Sequence, residues 1–261
     1  MEDKKKLNNK IKKVIGVVSG KGGVGKSMVS SLMAVLAQRK GLSTAILDSD
    51  ATGPSIPKSF GITEKATGTQ DTLYPCYSKN GVGVMSINLL LENDTDPLIW
   101  RGPMISSTIK QFWSNVLWGE VDVMFIDMPP GTGDIALTVF QSIPLDGLII
   151  VSTPQELVGM IVEKAIKMAN VMNIPVLGLV ENMSYITCGH CGEKVYPFGE
   201  STIEKIAQEF NIKHVAKLPI DAQLRTLIDS GNIEEFEGDW LNNMLEAVIA
   251  LKKYQNKMFK L

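Results

Sequence analysis

Residues 20–27, GKGGVGKS, have the types and spacing of a phosphate cradle, G-x-x-x-x-G-K-[ST]. The glycines let backbone N–H groups turn toward a polyanion, and a helix opening near Lys26 aims the positive end of its dipole at the same point. Gly20, Lys21, Gly22, Gly23, Val24 and Gly25 would form the cradle, Lys26 would reach the β- and γ-phosphates of ATP, and the Ser27 hydroxyl would ligate Mg2+. Two acidic segments follow apolar runs, LDSD with Asp48 and Asp50, and FIDMPPGTGD with Asp127. A carboxylate closing an apolar strand is costly without a partner. Asp127 therefore reads as a Mg2+ ligand acting through a water, since Mg2+ dehydrates reluctantly.

The third chemical feature is Cys188-Gly-His-Cys191-Gly, whose C-x-x-C spacing lets two thiolates face one metal centre. A tetrahedral metal site or a four-iron cluster wants four thiolates, yet the remaining cysteine, Cys76, is distant and has no C-x-x-C partner. Two chains that each supply Cys188 and Cys191 across a twofold axis would complete the set. Thiolates serve zinc as well as iron, so the metal stays open on these grounds. CGHC also suits a redox site activated at a helix N-terminus, but residues 192–199 contain Pro197 and two glycines and do not suit a helix. An inert loop is the third alternative. His190, between the cysteines, is expected to face solvent, His214 to begin a strand, and Cys76 to be a small, partly buried side chain.

Parallel strands joined by crossover helices would position these groups. Apolar, β-branched runs at residues 14–18, 44–48, 83–87, 121–127, 147–152, 176–181 and 214–218 predict strands, several too continuously apolar to have one face in water. Helical patterns fall at 26–39, 105–117, 135–141, 155–172, 201–210 and 240–252. The expected fold class is α/β: a doubly wound, mostly parallel sheet of about seven or eight strands with helices on both faces. Both acidic segments then lie at carboxyl ends of strands, the edge where such sheets bind ligands. Residues 51–75 and 183–199 are longer than usual connections and are expected to be functional loops.

The chain of 261 residues is expected to form one domain over 14–261, behind a basic tail at 1–13 with lysines at 4, 5, 6, 10, 12 and 13. A net charge of −2 provides no global attraction to a polyanion, so no nucleic acid partner is expected. No run approaches a membrane span, and three cysteines are a poor disulfide framework, which together fit a reducing cytoplasm.

The second lysine of the cradle, Lys21, resembles the deviant phosphate loop of the MinD/ParA class. That resemblance implies a nucleotide-sandwich homodimer in which Lys21 reaches the partner's phosphates. It further implies that Asp50 orients the attacking water, that Asp48 lies near the metal, and that Asn182 and Pro219 border adenine. Over a longer stretch, 14 to about 232, the segments SGKGGVGKS, LDSDATGPSIP, IWRGPMISSTIKQFW, FIDMPPGTGD, VSTPQEL and ENMSYITCGHCGEKVYPFG resemble the Mrp/ApbC iron–sulfur carrier ATPases. The resemblance implies a slow, Mg2+-dependent ATPase. Its homodimer would bind a labile 4Fe-4S cluster on Cys188 and Cys191 and deliver it to apo iron–sulfur client proteins. A MinD/ParA-like positioning ATPase, with residues 252–261 touching a membrane, and an ATPase with a structural zinc at the dimer interface are the alternatives.

Overall fold

The computed structural model describes residues 8–50, 55–69, 71–91, 102–131, 133–155 and 158–251. Residues 252–261, which the positioning-ATPase alternative would bring to a membrane, and the Trp100-Arg101 pair lie outside the described residues, as do residues 51–54 of the first long loop. In chain order the elements are β1 (Lys10–Ser19), α1 (Lys26–Arg39), β2 (Thr44–Asp48), α2 (Ile56–Ser59), β3 (Cys76–Tyr77), β4 (Gly83–Met85), α3 (Gly102–Asn115) and β5 (Glu120–Asp127). There follow α4 (Asp134–Ser142), β6 (Gly147–Ser152), α5 (Val158–Val171), β7 (Val176–Thr187), β8 (Lys194–Val195), α6 (Ile203–Glu209), β9 (His214–Pro219), α7 (Ala222–Asp229) and α8 (Asn242–Ala250).

Nine strands form one sheet in the order β3-β4-β2-β5-β1-β6-β7-β8, with β9 also paired to β7. The β1, β2, β4, β5, β6, β7 and β9 pairings are parallel, and only the two-residue β3 and β8 run antiparallel. Successive residues of the central strands bury opposite faces, as the two-residue period of a strand requires. In β5, Met124 and Ile126 pack into the core on one side, while Val123 and Phe125 pack into the core on the other. In β6, Leu148 and Ile150 oppose Ile149 and Val151 in the same way. The α3, α4 and α5 side chains cover the first face, and those of α1 and α8 cover the second. This is the expected doubly wound α/β fold.

Several boundaries differ from expectation. Residues 10–13 are not part of a solvated tail; they extend β1 along β5, with Lys10 opposite Glu120 and Lys13 opposite Val123. The lysines tolerate a strand because each has a partner: Lys10 Nζ lies 2.6 Å from Glu120 and Lys12 Nζ 2.6 Å from Asp122, while Lys13 donates to the carbonyls of Val248 and Ile249 at the end of α8. The strand expected at 83–87 stops at Met85, and a 3-10 turn takes over at Ile87. The short helices α2 and α7 were not expected. In α7 the cap is local chemistry, Leu224 N donating to the Asp221 carboxylate at 2.6 Å. The stretch 183–199 is not a loop throughout, because β7 runs on to Thr187 and pairs with β8 as a hairpin.

Candidate functional site

The phosphate loop joins β1 to α1 at the point where the strand order diverges, with β5 on one side of β1 and β6 on the other. Gly25 has φ 88°, a left-handed conformation that glycine adopts without a Cβ clash, and α1 starts at the next residue. Its back is held from outside: Asn182 Nδ2 donates to the Val24 carbonyl at 2.9 Å, and a Cβ on Gly25 would lie 2.2 Å from that same nitrogen. Lys21 is exposed, whereas Lys26 is buried at 5% exposure.

The Lys26 ammonium lies 2.8 Å from Asp127 and 3.6 Å from Asp50. Among the described residues its hydrogens nevertheless find no well-aligned acceptor, so the buried ammonium can still donate to a further oxygen. Asp127, fully buried, accepts from Ser27 Oγ at 2.7 Å and Ser30 Oγ at 2.8 Å. Asp48 pairs with Asp127 in register across β2 and β5, accepts from Ser86 Oγ at 2.9 Å, and receives the Asp50 N–H at 3.0 Å. Burial holds the Asp48 carboxyl well above the usual carboxylate range, and the Asp127 charge pushes the same way against Lys26. With Asp48 held toward its neutral form, Asp50 and Asp127 still outnumber the one ammonium, and a divalent cation would favour ionisation of all three. The hard oxygen donors of Ser27, Asp127 and Asp48 suit Mg2+.

The cysteines occupy the tip of the β7–β8 hairpin. Cys188 N donates to the Glu193 carbonyl at 2.8 Å, Gly192 N donates back to the Cys188 carbonyl at 2.9 Å, and Gly192 takes φ 76° to close the turn. Cys191 is exposed and Cys188 partly so. The backbone N–H of Cys191, with that of His190 and the Cys191 thiol behind it, lowers the Cys188 pKa and so favours its thiolate. No helix starts there. Tyr185 anchors the base of the hairpin, its ring 6.4 Å from that of Tyr196 with Lys194 Nζ 4.2 Å above it. Cys76 lies on β3 at the opposite end of the sheet, buried, its thiol pKa raised by desolvation. It cannot join the other two within one chain.

A family model described as the NUBPL iron-transfer P-loop NTPase, of ParA type, matches residues 10–250. The chain belongs to that family. An iron-sulfur cluster carrier protein of Clostridium perfringens is 45% identical over 234 residues, covering 87% of this chain and 82% of that protein. One from Methanocaldococcus jannaschii is 45% identical over 226 residues, covering 85% and 78%. A nucleotide-binding protein from Archaeoglobus fulgidus, solved in complex with ADP, superposes with a TM-score of 0.81 at 42% identity over 94% of each chain. The septum site-determining protein MinD of Pyrococcus horikoshii has a TM-score of 0.59 at 19% identity, over 96% of this chain and all of that one, a likeness of fold alone.

In this P-loop NTPase the strand edges bring Lys26, Ser27, Asp48, Asp50 and Asp127 together. Asn182 lies behind the loop, with its amide donating to Val24. Pro219 is buried and pairs with Tyr185 on β7, so both residues expected at adenine share the β7–β9 end of the sheet. Ser30 and Ser86 were missed. Ser30 stands one helical turn beyond Ser27 on α1, a spacing that puts both hydroxyls on one face and could have been read from the sequence. Ser86 carries no such signal, because its approach to Asp48 depends on the pairing of β4 with β2.

Among the described residues no helix is long and apolar enough to cross a membrane.

Proposed function

We propose that this NTPase is an ATP-dependent iron–sulfur cluster carrier. Two copies would pool Cys188 and Cys191 around a 4Fe-4S cluster and pass it to apo client proteins. The observation that carries the proposal is the placement of both thiols at an exposed hairpin tip on a nucleotide-binding domain, where one chain brings half of a four-sulfur set. An exposed, half-complete set suits a cargo that must be released.

Lys26 binds the β- and γ-phosphates, and the backbone N–H groups of residues 20–25 cradle them. The group that Ser27, Asp127 and Asp48 fit is Mg2+, which neutralises phosphate charge when bound. Asp50, ion-paired to Lys26, orients the attacking water. Exposed Lys21 adds its charge to the partner's phosphates as charge redistributes during transfer, so hydrolysis is slow until the dimer closes. Asn182 and Pro219 border the adenine. ATP then works through a differential affinity of the open and closed dimer for cargo or client. The chain works without nucleic acid or membrane, in a reducing cytoplasm.

Anaerobic reconstitution with iron and sulfide tests this. The wild type should turn brown and hold about four irons per dimer, and Cys188→Ala with Cys191→Ala should abolish both. A colourless wild type ends the proposal, and a protein that takes up zinc but no iron assigns the cysteines a structural metal instead.

A further inference from the structure

Strand β7 touches both the phosphate loop and the cysteine hairpin. Asn182 holds the Val24 carbonyl, and a few residues further along the same strand the chain reaches Cys188. Between them the strand is irregular: its register against β9 steps from Glu181 opposite Lys217 to Tyr185 opposite Pro219, and Met183 takes φ 58°. Bulges of this kind re-aim the strand beyond them, and a non-glycine residue in the left-handed region persists only where its surroundings hold it.

Glu181 provides that hold. It is buried at 2% exposure, and its two oxygens are divided between the legs of the hairpin. Oε1 accepts from Ser184 Oγ at 2.7 Å, on the leg that rises to Cys188. Oε2 accepts from Ser201 Oγ at 2.8 Å, just past the leg that descends from Cys191. A carboxylate buried among hydroxyls is an expensive way to fill space, so its use as a two-sided acceptor needs a reason beyond packing. The clasp makes the hairpin one body, fixed to the residue that precedes Asn182.

We infer that Glu181 is a positioning residue which, through Ser184 and Ser201, makes the aim of the cysteine hairpin depend on what occupies the phosphate loop. Phosphates draw the loop's N–H groups inward and shift the Val24 carbonyl that Asn182 holds. The bulge at Met183 takes up the change, and the clasped hairpin turns with it. Such a link is reciprocal: whatever the cysteines bind must alter nucleotide affinity by the same factor. The inference rests on the carrier function only for the identity of the cargo.

The test uses the full chain, reduced and metal-free, labelled with N-ethylmaleimide at each cysteine with and without saturating Mg-ADP, at dilute protein and matched assembly state. Buried Cys76 is the internal reference. The labelling rate of Cys188 and Cys191 should change about fivefold with Mg-ADP, the effect on a rate of a barrier change of about 1 kcal/mol. Ser201→Thr, which keeps the hydroxyl, should respond as the wild type does. Ser201→Ala should lose the response while Mg-ADP still raises its Tm; a merely structural Ser201 would lower Tm and leave the ratio alone. A wild type whose rates ignore Mg-ADP overturns the inference, and so does a Ser201→Ala protein that responds fully. Should Ser201→Ala fail to fold, Ser184→Ala and the wild-type measurement decide. A colourless reconstitution would end the carrier function without touching this ratio, and a flat ratio would end the link without touching the carrier function.

Discussion

Replacing Gly25 with alanine should cost far more than its size suggests. The residue has φ 88°, and an alanine held there is strained by about 1 kcal/mol. The added Cβ would also lie 2.2 Å from Asn182 Nδ2 and 3.3 Å from Asn182 Cγ, so that side chain must leave its bond to the Val24 carbonyl. Asn182 is 4% exposed, so its displaced amide stays largely out of solvent. Leaving a buried amide and carbonyl unpaired costs about 1–3 kcal/mol, which brings the total to about 2–4 kcal/mol. Gly23 is the matched control, with φ 81° and no atom within 4 Å of an added Cβ, so Gly23→Ala incurs the backbone strain alone. Thermal unfolding without nucleotide should therefore lower Tm by about 10 °C for Gly25→Ala and by about 3 °C for Gly23→Ala. Equal losses in the two variants would show that Asn182 does not brace the loop, and the account of the β7 contact would fall with it.

Lys26→Ala strips the ammonium paired with Asp50 and Asp127, and should destabilise the metal-free protein by about 3–5 kcal/mol in urea titrations; added Mg2+ should recover part of this, and a neutral effect would mean that the carboxylates are protonated without the lysine. Phe125→Ala empties a fully buried position at the centre of the sheet and should cost about 3–5 kcal/mol by the same measurement. Thiol reactivity should split by pH: the Cys188 pKa is lowered and that of Cys76 raised, so the thiolate fraction at Cys188 rises first as pH increases. Iodoacetamide followed by mass spectrometry should modify Cys188 at a pH where Cys76 is untouched until urea unfolds the chain, and equal reactivity would contradict the folded arrangement.

The sheet was legible because its signal is local. Each of β1, β2, β5 and β6 carries its own apolar run, and Met124 against Phe125 shows why such a run has no polar face: helices cover both sides. The phosphate loop was legible for the same reason, its residues being contiguous. What the sequence concealed depends on contacts between distant segments. Lys10 and Lys12 look like a solvated basic stretch until Glu120 and Asp122 arrive from another strand to neutralise them. The two-residue β8 has no pattern at all, and its existence follows from Ile186 meeting Val195 across the turn.

The same distinction governs the site. Asp127 announces itself, since an acid at the end of VMFID must have a cationic or hydroxyl partner, and Lys26, Ser27 and Ser30 supply three. Glu181 ends an equally apolar run, VLGLVE, and the same physical rule asked what satisfied it. The sequence offered Asn182, Ser184 and Tyr185 as nearby donors without choosing among them, and Ser201 lies beyond the whole hairpin. A buried acid whose partners bracket the cysteine turn therefore ties two otherwise separate features, the cradle and the thiols, to one strand. That tie predicts a specific asymmetry: perturbing Ser201 should alter how the thiols answer to nucleotide, whereas perturbing Ser86, whose hydroxyl meets Asp48 on the far side of β1, should alter metal and nucleotide affinity and leave the thiol response intact. Comparing Ser86→Ala with Ser201→Ala in one labelling experiment checks it, and identical behaviour of the two would mean that the hairpin senses the site as a whole and not through β7.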